Sequence, residues 1–71
     1  MNNSTVVRKN QVLKKEIVKL IKNSKIPLST SDLSRELKKA WHTIDRACLM
    51  LQIDKKIVGF RVGKMNLWRL I

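Results

Sequence analysis

Lys38 to Leu51 reads KKAWHTIDRACLML, and the spacing of its apolar residues decides the fold. Ile44, Ala47, Cys48 and Leu51 recur at the three-and-four interval that lines one side of an α-helix. His42, Asp45 and Arg46 fall on the opposite side, with Thr43 on the flank. The expected helix therefore buries one face and turns a mixed set of donors and acceptors outward. Trp41 opens it within about a sixth of a turn of Ile44, so a core position and an exposed one both stand open to it.

Upstream, Gln11 to Ser24 reads QVLKKEIVKLIKNS. Leu13, Ile17, Leu20 and Ile21 form one stripe, and Lys15, Lys19 and Lys22 share the other side, which predicts an amphipathic first helix. The pattern reaches back through Asn10 and Val6, permitting a start near Thr5. Residues 1–9 are expected as an N-terminal arm, in part flexible, and 10–71 as the domain. Asn23, Ser24 and Pro27 end the helix, because proline disfavours helical geometry before it and brings no backbone donor. Residues 26–28 are too short for another helix and predict an extended connector with one short strand. Ser29 then suits an N-cap. Asp32, three residues on, can reach back to the cap amide and meet the positive end of the helix dipole. Leu33 and Leu37 carry this second helix to about Lys39.

Downstream the period becomes alternating. IVGFRV (Ile57 to Val62) and NLWRLI (Asn66 to Ile71) are rich in β-branched and aromatic residues, and Gly63, Lys64 and Met65 between them predict a hairpin turn. Phe60 and Trp68 are expected to be buried in so small a core. The order is helix, connector, helix, helix, hairpin, an α+β chain.

Composition bounds the function. Seventy-one residues allow one small core. Sixteen Lys and Arg against five Asp and Glu give a formal charge of +11, which points to a polyanionic partner, most directly a nucleic acid whose condensed counterions are released on binding. One cysteine excludes an internal disulfide. The N-terminal stretch lacks the apolar run of a signal peptide, and no segment approaches the roughly 20 apolar residues that span a bilayer. A cytoplasmic, non-membrane protein is expected. His42 and Cys48 alone cannot supply zinc with its three or four ligands, and no nucleophile-base arrangement or phosphate-cradling glycine loop appears. No enzyme, no cofactor, no metal and no small-molecule ligand are expected.

Ser29, Leu33, Leu37, Thr43-Ile44-Asp45-Arg46 and Leu51 stand in a register that resembles the winged helix-turn-helix family over about Asn10 to Ile71. Ile57 and the terminal LWRL resemble the family's second and third strands. The departures are Lys38 and Lys55 where the family often has Gly, and Ala40 where Ser would cap the third helix. The resemblance implies a three-helix fold with a two-stranded wing and a sequence-specific double-stranded DNA-binding activity, as in small archaeal, viral or plasmid-type transcriptional regulators acting in the host cytoplasm. It places the third helix, about 41–53, in the major groove and the 63–65 wing tip on the backbone or minor groove.

A helix about 10–12 Å wide fits a major groove about 12 Å wide, with its first residues closest to the base edges. The expected DNA-binding residues are Trp41, His42, Thr43, Asp45 and Arg46 on the helix, with Lys38, Lys39, Arg61 and Lys64 on the flanking backbone. Arg46 suits guanine or a phosphate, and Asp45 suits cytosine or the orientation of Arg46. Arg61 and Arg69 stand either near phosphates or paired within the hairpin. Lys15, Lys19 and Lys22 form a solvated face that steers encounter. Leu49 and Ile53 share the side of Arg46 and want a cover, from the first helix, the hairpin or a second copy in a homodimer. The competing readings are a winged-helix protein-interaction module and a nonspecific nucleic-acid binder; RNA binding and a membrane-surface role have less in their favour.

Overall fold

The computed structural model describes the backbone of residues 4–71 and the side chains of residues 10–71. Three helices, α1 (Ser4–Asn23), α2 (Thr30–Leu37) and α3 (Trp41–Ile53), pack with three strands, β1 (Leu28–Ser29), β2 (Ile57–Val62) and β3 (Met65–Leu70). The sheet is antiparallel in the order β1-β3-β2, with Leu28 opposite Trp68, Ile57 opposite Leu70 and Val62 opposite Met65. This is the α+β winged helix-turn-helix architecture, the β2–β3 hairpin being the wing. Residues 4–9, expected as part of an arm, continue the backbone of α1. The rest of that expected arm, residues 1–3, lies outside the described residues. Among the described residues no helix is long and apolar enough to cross a membrane.

The core follows the apolar stripes. Leu13, Ile17 and Ile21 of α1 meet Leu33 of α2, the Ile44, Ala47, Cys48 and Leu51 face of α3, Ile57 and Trp68. Leu20 packs at the edge of this cluster, only partly buried. Two hydrogen bonds tie the hairpin to the helices. The Trp68 indole Nε1–H donates to Thr30 Oγ1 at 2.9 Å in the interior, and the Gly59 N–H donates to Gln52 Oε1 at 2.8 Å. Gly59 is needed where it stands, because a Cβ there would lie 2.5 Å from Trp68 Cζ3.

The helix ends show how the turns are made. At α2 the Asp32 N–H donates to Ser29 Oγ at 2.9 Å and the Ser29 N–H to Asp32 Oδ2 at 3.0 Å, a reciprocal cap that satisfies two helix-end donors. The bond from the Ser29 backbone, followed by that from its side chain, holds the Asp32 carboxyl below its ordinary pKa. The helix stops at Leu37, two residues before the expected end, because Lys38 enters the left-handed region at φ 55. Lys55, after α3, does the same at φ 61. Both lysines therefore accept a conformation that costs an L-residue about 1 kcal/mol. At the wing the turn is shorter than expected, since Met65 already pairs with Val62 and only Gly63 and Lys64 connect the strands. Gly63, at φ 60, provides the positive φ that a two-residue hairpin loop requires.

Three side chains correct or settle the sequence reading. Phe60, expected inside, is 38% exposed, because β2 leaves the core as it runs toward the wing tip. Trp68 is buried as expected. Trp41 is 41% exposed, which rejects the core position for it.

Candidate nucleic-acid interface

The outward side of α3 is a ridge between two grooves. On the α1 side, Asn10 and Lys14 of α1 face His42, Thr43 and Arg46 of α3 across a groove of about 400 Å³. On the wing side, Asp45, Leu49 and Gln52 of α3 face Phe60, Arg61 and Asn66 across a groove of about 320 Å³. The cause is helical angle: positions 42 and 46 lie one turn apart and lean together, as do 45, 49 and 52. The five expected α3 residues are thus divided. His42, Thr43 and Arg46 stay together, Asp45 joins Arg61, and Trp41 stands at the helix start with its ring edge-on to His42 at 5.7 Å.

The flanking cations are exposed. Lys38 and Lys39 occupy the α2–α3 turn, and Lys64 lies in the wing loop. A small cleft of about 110 Å³ brings Lys64 beside Trp41 and Ser31, so the wing tip and the start of α3 share one surface. Arg61 and Arg69 are both exposed on the hairpin. Asp32 and Arg35, 2.7 Å apart, form the one ion pair among the described residues; Asp45 makes none with Arg46 or Arg61. The cations of this face are therefore left to solvent or to a partner. Ala40 gives α3 no side-chain cap, which leaves first-turn N–H groups open to an outside acceptor.

Lys14 and Gln52 were not singled out in the sequence, and Asn10 only as an extension of the α1 stripe. Lys14 could have been: it stands three before Ile17 and seven before Ile21, at the border of the buried stripe of α1, and it is half-buried where Lys15, Lys19 and Lys22 are exposed. Leu49 and Ile53 remain 46% and 76% exposed, so among the described residues nothing covers them. Cys48 is wholly interior. Burial, and then the charge of Asp45, push its thiol up to about 12, which removes thiolate chemistry at neutral pH. Among the described residues no three His, Cys, Asp or Glu side chains gather as a metal would require.

No protein-family model matches the chain, and no curated protein matches it. The crystal structure of human N-acetylserotonin methyltransferase in complex with SAM contains a similar arrangement, with a TM-score of 0.75 and 16% identity over 97% of this chain. The match covers 21% of that enzyme, so this chain spans about a fifth of its length. At that identity the likeness is one of fold, and it carries neither the activity nor the ligand of the larger protein.

Proposed function

We propose that this chain is a sequence-specific double-stranded DNA-binding protein, a transcriptional regulator of the winged helix-turn-helix family that works by binding and not by catalysis, in the cytoplasm. The carrying observation is the charge of the α3 face. Lys38, Lys39, Arg46, Arg61 and Lys64 surround the helix, and Asp32–Arg35 is the sole ion pair among the described residues. A formal charge of +11 on so small a body favours a polyanion, and an exposed α-helix, about 10–12 Å wide with its side chains, fits a major groove about 12 Å wide. In this reading α3 enters the groove, Asp45 and its neighbours address base edges, and the Gly63-Lys64 loop rests on the backbone or minor groove.

The test is selection from a randomised duplex library at two salt concentrations, with sequencing of the retained DNA. One enriched motif that persists at the higher salt supports the reading. Retention without a motif, lost steeply with salt, reduces it to nonspecific phosphate binding.

A second reading rests on a different observation. Leu49, Met50 and Ile53 are all exposed on α3, and exposed apolar strips commonly mark protein contacts. A protein-interaction module or a homodimer on two half-sites would cover them. Light scattering with and without duplex decides it: a monomer of 8.3 kDa in both conditions removes the homodimer, and failure to retain any duplex moves the interaction module to first place.

A further inference from the structure

We propose that the groove between α1 and α3 is a phosphate cradle, in which Lys14 and Asn10 join His42, Thr43 and Arg46 around the oxygens of one phosphate group. As a nucleic-acid contact this rests on the DNA-binding reading above.

The polar lining is the argument. Every polar side chain in this groove can donate: the Lys14 ammonium, the Arg46 guanidinium, the Asn10 amide, the Thr43 hydroxyl and the His42 ring N–H. No carboxylate lines it, whereas Asp45 lines the wing-side groove and Asp54 the lysine-rich groove at the far end of α3. The Lys14 and Arg46 cations and three further donors without an internal acid form a set that phosphate oxygens complete, each oxygen accepting charge-assisted bonds. The floor is firm, since Leu13 and Ala47 beneath it are each only 7% exposed. Lys14 is half-buried on the border of this groove and the lysine-rich one, both of which it lines, while Lys15, Lys19 and Lys22 are exposed.

The position fits a backbone diester better than a base. The groove lies to one side of the α3 ridge, where a helix seated in a major groove meets the bordering strand and not the base edges. The cradle therefore reassigns His42, Thr43 and Arg46 from reading sequence to fixing register. Base reading then rests on the wing-side residues Asp45 and Gln52.

Two measurements on the full chain test this. The first is titration with inorganic phosphate followed by amide NMR, with shifts expected to converge on Asn10, Lys14, His42, Thr43 and Arg46. The second is binding to a mixed-sequence duplex over a salt series. Lys14→Gln is expected to reduce the slope of log K against log salt by about 0.9, the value for one lost phosphate contact. Lys15→Gln, one residue away and outside the groove, reduces it clearly less, and Lys14→Arg restores it. Converging shifts with that slope pattern support the cradle on a nucleic-acid backbone. Converging shifts with no duplex binding keep the cradle, identify free phosphate as its ligand and remove the DNA-binding reading. Duplex binding in which Lys14→Gln and Lys15→Gln behave alike, with phosphate shifts scattered over all the lysines, overturns the cradle and leaves the DNA-binding reading standing.

Discussion

Trp68 and Thr30, thirty-eight positions apart in sequence, are joined by a hydrogen bond of 2.9 Å from indole Nε1 to hydroxyl Oγ1 in the protein interior. The pair locks β3, and through it the wing, to the first turn of α2. Thr30 and Trp68 are both nearly inaccessible to water, so neither group can exchange its partner for solvent. Thr30→Val keeps the shape and removes the acceptor, which leaves a buried N–H unsatisfied at a cost of about 1–3 kcal/mol. A thermal melt should fall by about 4–8 °C per kcal/mol in a domain of this size, and Thr30→Ser should recover most of the loss.

Gly59 and Gly63 should separate by mechanism. Gly59→Ala drives a methyl to 2.5 Å from a buried ring and should destabilise by about 1–3 kcal/mol through overpacking. Gly63→Ala has open space around it but a φ of +60, and should cost about 1 kcal/mol through backbone strain alone. Trp68→Phe is itself destabilising, since it loses the bond to Thr30, but measured in that background Gly59→Ala should cost less than in wild type while Gly63→Ala costs the same, which denaturant melts of the full set of single and double variants would show.

At Lys38, stability and binding should move in opposite directions. Lys38→Gly removes left-handed strain of about 1–2 kcal/mol and adds back about 0.5–1 kcal/mol of unfolded-state entropy. The net is a stabilisation of about 0–1.5 kcal/mol, read as a higher melting temperature. If Lys38 holds a phosphate, the same variant should lower the salt slope of duplex binding by about 0.9.

The cap of α2 should carry a pH signature. Ser29→Ala should cost about 1 kcal/mol. Asp32 has a depressed folded-state pKa against an ordinary value of 3.8, so its contribution is present above that value. It is lost as the pH falls through the lower, folded-state pKa. The stability gap between wild type and Asp32→Asn should be constant from neutral pH down to about 3.8 and close below it in urea melts.

Cys48 should resist alkylation in the folded protein. Its thiol is buried and pushed up to about 12, so maleimide at mildly alkaline pH should label it only at the rate of unfolding. Labelling at the speed of a free thiol would contradict its place in the core.

The elements with strong periods were legible in the sequence. The α3 span of 41–53, the β2 span of 57–62 and the Ser29–Asp32 cap stand where residue spacing puts them, because burying an apolar stripe fixes both period and phase. The chain's own conflicts were harder to read. Lysine at Lys38 and Lys55 left it open whether those turns take positive φ, since sequence shows the strain but not what offsets it. Phe60 looked like core because its composition resembles that of Trp68; only the direction in which β2 leaves the body distinguishes them. The site was legible as a list and not as a geometry. The spacing put His42, Asp45 and Arg46 on one outward side of α3, but which neighbour each faces is tertiary: α1 packs beside His42 and Arg46 and brings in Lys14, and the hairpin packs beside Asp45.

The ridge of α3, with an acid-free groove on one flank and a groove containing Asp45, Gln52 and Asn66 on the other, has an evolutionary consequence under the proposed function. Grip and choice would be housed in different side chains. Substitutions along the wing flank could then retarget the protein to a new operator without loosening its hold on DNA, so a lineage could explore binding sites one residue at a time and remain a competent binder at each step.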